Sequence, residues 1–193
     1  MVTDARNLIP ENLNWVIDRH EDSFLRGLKT KHQDLSIRSE YAQAIVNKSE
    51  EAIQAFTAER SFRKGAFLMG QLVRLVSDQH NLVPDPSGLS KPNWATDYAI
   101  FLQQKRSFFR IRWKGKENQP NTTADLKKML DESSKRMDQV SKILIETLNR
   151  EKKEISSYDV RSAPFGVGSI AYSSTVNTLT LTWLYIWNQS GGL

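Results

Sequence analysis

Apolar residues return along this chain mostly at intervals of three and four, the period of one face of a helix. The first stripe is Leu13, Val16 and Ile17, with Trp15 close by. It follows Pro10 and Glu11, a pair suited to the first turn of a helix. Phe24, Leu25 and Leu28 resume after a break, and Gly27 with the polar stretch 29–34 reads as a connection. A second helix is predicted over 36–58, where Ile37, Tyr41, Ala44, Ile45, Ala52, Ile53 and Phe56 recur at helical spacing. The third, over 62–80, differs in kind. One face carries Phe62, Ala66, Met69, Val73 and Val76, and Phe67, Leu68, Leu72 and Leu75 cover much of the rest. A helix apolar on nearly every side is surrounded by other elements. Gly70 in its middle would let a neighbouring helix approach closely.

Three prolines and a glycine mark 81–92 as a loop, and a short helix follows over 93–104 with Trp94, Tyr98 and Phe101 or Leu102 inward. Residues 107–114 then alternate. Phe109, Ile111 and Trp113 fall on one side and Arg110, Arg112 and Lys114 on the other, which predicts a strand or an extended arm. The longest helix is expected over 125–154, with Thr123 as its cap and Leu126, Leu130, Ser133, Met137, Val140, Leu144 and Leu148 as its seam. That seam suits a bundle helix better than a coiled coil, being short and broken by Ser133. The last 32 residues hold no Asp, Glu, Lys, Arg or His. There a glycine-rich turn over 164–168 precedes a helix capped by Ser173 or Ser174, although the β-branched threonines also suit a strand.

These elements predict an all-α protein: one helical domain over 1–193, bundled around the buried 62–80 helix, with a short extended arm or hairpin between the fourth and fifth helices. A chain of 193 residues fits one domain. Its five Trp and eight Phe supply bulky core material, and with no Cys it has neither disulfides nor thiol chemistry. No run of about 18 apolar residues exists to span a membrane. The N-terminus lacks a basic segment followed by an apolar one. As given the chain therefore reads as cytoplasmic, and as exported if a leader has been removed. The formal charge of +5 favours anionic partners but also describes an ordinary solvated surface.

The stretch AFLMGQLVRLVSDQHNLVP, residues 66–84, resembles the core helix of the zinc-dependent phospholipase C and S1/P1 nuclease superfamily. WVIDRHEDSFLRGL near the start looks like that family's first core segment, and STVNTLTLTWLYIWNQSGG like its closing helix. The resemblance implies an all-helical fold and, if the chain is active, a metal-dependent phosphoester hydrolase. In that family three zinc ions, held by imidazoles, carboxylates and a Trp amine, activate water and neutralise phosphate. Asp78 stands where the helix Asp belongs, but Arg74 occupies the position of the His four residues earlier. A guanidinium offers no lone pair to zinc. The downstream Pro-x-His is replaced by Pro84-Asp85-Pro86, the long helix contains no His, and the nearest Trp is Trp15. Most ligands of a trinuclear site are thus missing. Asp78 and Arg74 are the best catalytic candidates, an i, i+4 pair that would fill the vacated positions of a buried helix.

Three histidines, His20, His32 and His80, each lie two residues from an Asp (Asp22, Asp34 and Asp78), and their convergence would suit zinc or manganese. A polar surface explains the same spacing. The segment KRSFFRIRWKGK, 105–116, is the best binding candidate. Arg110, Arg112 and Lys114 would meet phosphates while the aromatic residues stack on bases. The plainer reading, and the preferred one, turns the aromatic face into the core and the basic face to water. Walker-type, GxGxxG, GxSxG and HExxH motifs do not occur. Three functional classes follow: a diverged hydrolase relative without its metal site, a binder of nucleic acid or another polyanion, and a helical protein-interaction module, oligomeric through the long C-terminal helix or the uncharged tail.

Overall fold

The three-and-four periodicities fold as helices. A computed structural model describes residues 1–31, 35, 37–83 and 94–192. Among these residues eight α-helices form and no strand does. They are α1 (Val2–Arg6), α2 (Glu11–Arg19), α3 (Glu21–Lys29), α4 (Arg38–Thr57), α5 (Phe62–Gln79), α6 (Trp94–Gln104), α7 (Thr123–Glu151) and α8 (Ala163–Gln189). The loop prolines Pro84, Pro86 and Pro92, together with His32 and Asp34, lie outside the described residues. No described helix is long and apolar enough to cross a membrane.

Gly27 is not in a connection. It sits inside α3, against α5. A methyl group at Gly27 would run into the carbonyl oxygen of Phe67, and one at Gly70 into the carbonyl oxygen of Phe24. The two glycines therefore face each other's helices across a backbone-to-backbone crossing. Spacing alone could not show that Gly27 and Gly70 serve one contact.

The central helix is as expected from its pattern. Ser61 caps α5 by accepting from the Lys64 N–H at 3.3 Å, and α3, α4 and α8 pack around it. One stripe through Phe67, Gln71, Arg74 and Asp78 stays part-exposed. A second helix is wrapped just as fully: from Ser174 to Trp187 every residue of α8 is buried. Its threonines do not oppose the helix, because Thr175, Thr180 and Thr182 donate to the carbonyls of Ala171, Val176 and Thr178, each at 2.8 Å. Hydroxyls satisfied on their own backbone can enter a core. Trp183 and Trp187 meet Phe24 and Phe56 edge-on, with centroids 5.9 and 6.0 Å apart.

The expected glycine-rich turn over 164–168 is helical instead. Ser162 caps α8 eleven residues before the expected Ser173, and Pro164 lies in its first turn, where a missing N–H costs nothing. Gly168 lies under Leu102 and Tyr98, so α6 crosses closely there. The cap of α7 is Thr122, one residue before the expected Thr123. It forms a capping box: Thr122 Oγ accepts from the Asp125 N–H at 3.1 Å, and Asp125 Oδ2 accepts from the Thr122 N–H at 3.0 Å.

Two apolar clusters share α7 and α8. The larger joins α1 to α5 with the start of α7 and the second half of α8. The smaller joins α6, the second half of α7 and the first half of α8. Start therefore packs against end, so α7 and α8 run antiparallel.

The crossing makes a stability prediction. Gly27→Ala or Gly70→Ala gains about 1 kcal/mol of helix propensity but pushes two backbones apart, which costs about 1–3 kcal/mol or more. Both variants should unfold at lower denaturant concentration than the parent. Gly166→Ala, with open space around it, should be neutral or stabilising. Equal behaviour of all three would contradict the crossing.

Candidate functional site

The basic segment leaves α6 through a 3₁₀ turn, Arg106–Phe108, and then runs extended along α8 without joining a sheet. Side chains of α8 replace the missing ladder. Ser173 Oγ accepts from the Arg112 N–H at 3.0 Å, and Asn177 Oδ1 accepts from the Lys114 N–H at 2.9 Å. Asn177 Nδ2 donates back to the Arg112 carbonyl at 3.0 Å. One amide thus pairs both a donor and an acceptor of the arm, much as a neighbouring strand would. The arm expected from alternation is present, while the strand is not.

Alternation decides which face of the arm meets water. Ile111 and Trp113 pack on the larger core. Phe109 packs on the smaller one, with ring centroids 5.4 Å from Phe165 and 5.0 Å from Tyr172. Arg110, Arg112 and Lys114 are exposed. The aromatic face is therefore turned toward the core and half-buried, and Phe108 is the exposed aromatic residue beside it. Burial, and then repulsion from Arg136 of α7, holds the Lys114 ammonium below its ordinary range, with Glu132 opposing.

At the C-terminal end of α5 a second polar cluster forms, built on a residue that sequence spacing did not single out. Arg38 opens α4, where the helix dipole disfavours a cation. Its guanidinium reaches instead to the opposite pole of α5, donating to the Gln79 carbonyl and, at 2.8 Å, to the Asn81 carbonyl. It also donates to Ser141 Oγ at 2.8 Å and pairs with Asp138 at 2.6 Å, both on α7. Beside it Gln79 donates to Ser134 Oγ at 2.9 Å. No periodicity encodes a contact across 100 residues of chain.

His80 completes this cluster. Nδ1 lies 2.8 Å from the Val76 carbonyl, which can only accept, so Nδ1 carries the proton. Nε2 lies 2.8 Å from Ser133 Oγ and 3.3 Å from Thr178 Oγ1, so its lone pair is taken by hydroxyls. Burial first, against the Val76 hydrogen bond and with Arg38 and Lys114 adding repulsion, lowers its pKa to about 4. The ring is a neutral tie between α5, α7 and α8. As a metal ligand it would have to give up one of these bonds.

The other expected site residues lie apart. Arg74 and Asp78 do pair, at 3.6 Å, but with side chains 40% and 36% exposed. The expectation of a buried pair is corrected, because they fall on the one stripe of α5 that its neighbours leave open. Attraction in an exposed i, i+4 pair amounts to a few tenths of a kcal/mol. His20 occupies the junction between α2 and α3. Among the described residues no group of three His, Cys, Asp or Glu comes together as a metal site. On α7, Ile143 and Ile145 are exposed two residues apart, on different sides of the helix. Comparisons with family models, curated proteins and solved structures found no match.

His80 sets a pH dependence. Its unfolded pKa of 6.5 exceeds the folded value of about 4, so between them the unfolded chain binds the extra proton. Stability attributable to His80 is complete above pH 6.5, falls as pH drops through that window and levels off below about 4. The span corresponds to roughly 3 kcal/mol. Denaturant unfolding at pH 7.5 and 4.5 should show a smaller loss for His80→Gln than for the parent. Parallel losses would mean that the ring is not held neutral.

Proposed function

We propose that this protein binds the phosphate backbone of single-stranded nucleic acid through the exposed basic face of its arm. The observation that carries this reading is the pairing of the arm's backbone with Ser173 and Asn177 of α8. That pairing holds Arg110, Arg112 and Lys114 on the side away from the core, at two-residue steps of about 6.6 Å. Ordering is already complete in the free protein, so binding loses little backbone entropy. Mutual repulsion between Lys114 and Arg136 is relieved when an anion sits between them. Recognition in this form is of charge and not of base sequence, because Phe109, Ile111 and Trp113 face inward.

Binding of a mixed-sequence oligonucleotide should weaken steeply with salt and be displaced by inorganic polyphosphate. The double variant Arg110→Ala/Arg112→Ala should lower the slope of log affinity against log salt by about 1–2. An unchanged slope, or no binding at low salt, overturns this reading.

The resemblance to the phospholipase C and S1/P1 nuclease superfamily supports a second reading, of ancestry without the metal chemistry. What favours it is a helical core assembled around α5 with Asp78 on that helix. In this reading the chain keeps the scaffold, and the Arg74 guanidinium stands where an imidazole would bind zinc. Calorimetric titration with zinc is its test: stoichiometric tight binding together with phosphodiester hydrolysis would restore an enzyme, and would count against the loss of the metal site.

A further inference from the structure

Between the end of α5, one face of α6 and the first half of α8 lies a cavity of about 610 Å³. This is within the range of small-molecule sites, about 300–1,000 Å³. Its walls are mostly apolar, with Leu82, Leu102, Phe109 and Ala171 among them. Several polar side chains that border it, though not Thr96 and Gln103, have already spent their hydrogen bonds inside the protein. Tyr98 donates to the Pro164 carbonyl at 2.8 Å, Thr175 to the Ala171 carbonyl at 2.8 Å, and Tyr172 to Asp4. Both nitrogens of His80 are occupied as described above. Interior walls of this kind reward an apolar guest and offer little to a polar one.

The edge of the cavity is different. Arg106 lines it with a side chain 55% exposed, at the start of the basic arm. Its guanidinium lies over the Tyr172 ring, 5.7 Å from the centroid. Stacking of that kind fixes the plane and leaves the N–H edge free to donate. Its ion pair with Asp4 is long, at 3.8 Å. Asp4 in turn is held by the Tyr172 hydroxyl. A guest with an apolar body and one terminal negative charge matches this layout, body among the side chains and charge at Arg106.

We infer that the cavity between α5, α6 and α8 binds a small amphipathic monoanion, an apolar chain or ring ending in a carboxylate, with Arg106 as the anchor of the charge. This site is separate from the arm face at residues 110–114 and does not depend on it.

Isothermal titration with decanoate, kept below its micelle concentration, tests the inference, with decanol as the uncharged counterpart. Saturable one-to-one binding of decanoate is expected, with decanol at least fivefold weaker. Arg106→Gln should weaken decanoate about fivefold or more and leave decanol unchanged, while Asp4→Asn should tighten decanoate alone. Ala171→Phe should abolish binding of both by filling the cavity. Ala99→Trp, from an exposed position on the cavity wall, gives the same readout if the buried substitution fails to fold. Melting curves identify the variants that are folded. Arg110→Ala/Arg112→Ala should bind decanoate like the parent, so failure of the nucleic-acid reading leaves this result untouched. No saturable binding by the parent, equal binding of acid and alcohol, or full binding by a folded filled-cavity variant each overturns the proposal.

Discussion

Where α3 crosses α5, two main chains touch. Gly27 lies against the Phe67 peptide and Gly70 against the Phe24 peptide, with no side chain between them. That contact fixes how deep α5 sits, since any side chain at either position would lift the helices apart. With α5 placed, Phe24 on α3 reaches Trp183 of α8, and the apolar faces of α4 and α8 close on the remaining sides. A close-packed interior transmits such a displacement, because its side chains interdigitate with few voids to absorb it.

The far end of α5 is held by polar bonds instead. Arg38 brings a cation from the start of α4 to the carbonyl end of α5 and ties both to α7. His80 extends the tie to α8 through hydroxyls. These groups are costly to bury singly and are tolerable here because their partners come from three or four helices at once. The same bonds hold the His80 ring neutral, with Nδ1 on the Val76 carbonyl and Nε2 facing the hydroxyls of Ser133 and Thr178. The residues that look most like a catalytic remnant in the sequence thus divide between a surface ion pair and a structural tie.

The two places proposed for binding both begin where α6 ends. The arm exposes charge because its backbone is paired by Ser173 and Asn177 and its apolar side chains Phe109, Ile111 and Trp113 lie half-buried against the core. The cavity exposes apolar surface because the hydroxyls of Tyr98, Thr175 and Tyr172 are turned to internal acceptors. Arg106, between them, belongs to the edge of the cavity. A side chain committed inward leaves a surface defined by what remains, and that determines which ligand chemistry each place can serve.

Much of the fold was legible in the order of residues. Helical periodicity located the cores of α2 and α4 to α7, and the alternation at 109–114 correctly divided aromatic from basic faces, because both patterns report burial directly. Local rules also carried errors. Gly27 reads as a break and 164–168 as a turn, since glycine weakens an isolated helix; close packing against Phe67 and Leu102 overrides that preference. The threonines of α8 weaken the helix that the wider spacing favours, and in the fold their hydroxyls find carbonyls one turn back. The site was less legible than the fold. Neither Arg38 nor the company kept by His80 follows from spacing, because a hydrogen bond between distant helices depends on where packing places them. The sequence by itself determined which faces are apolar and where charge gathers; only the tertiary structure decided which polar groups meet, since pairing needs proximity that no local pattern contains.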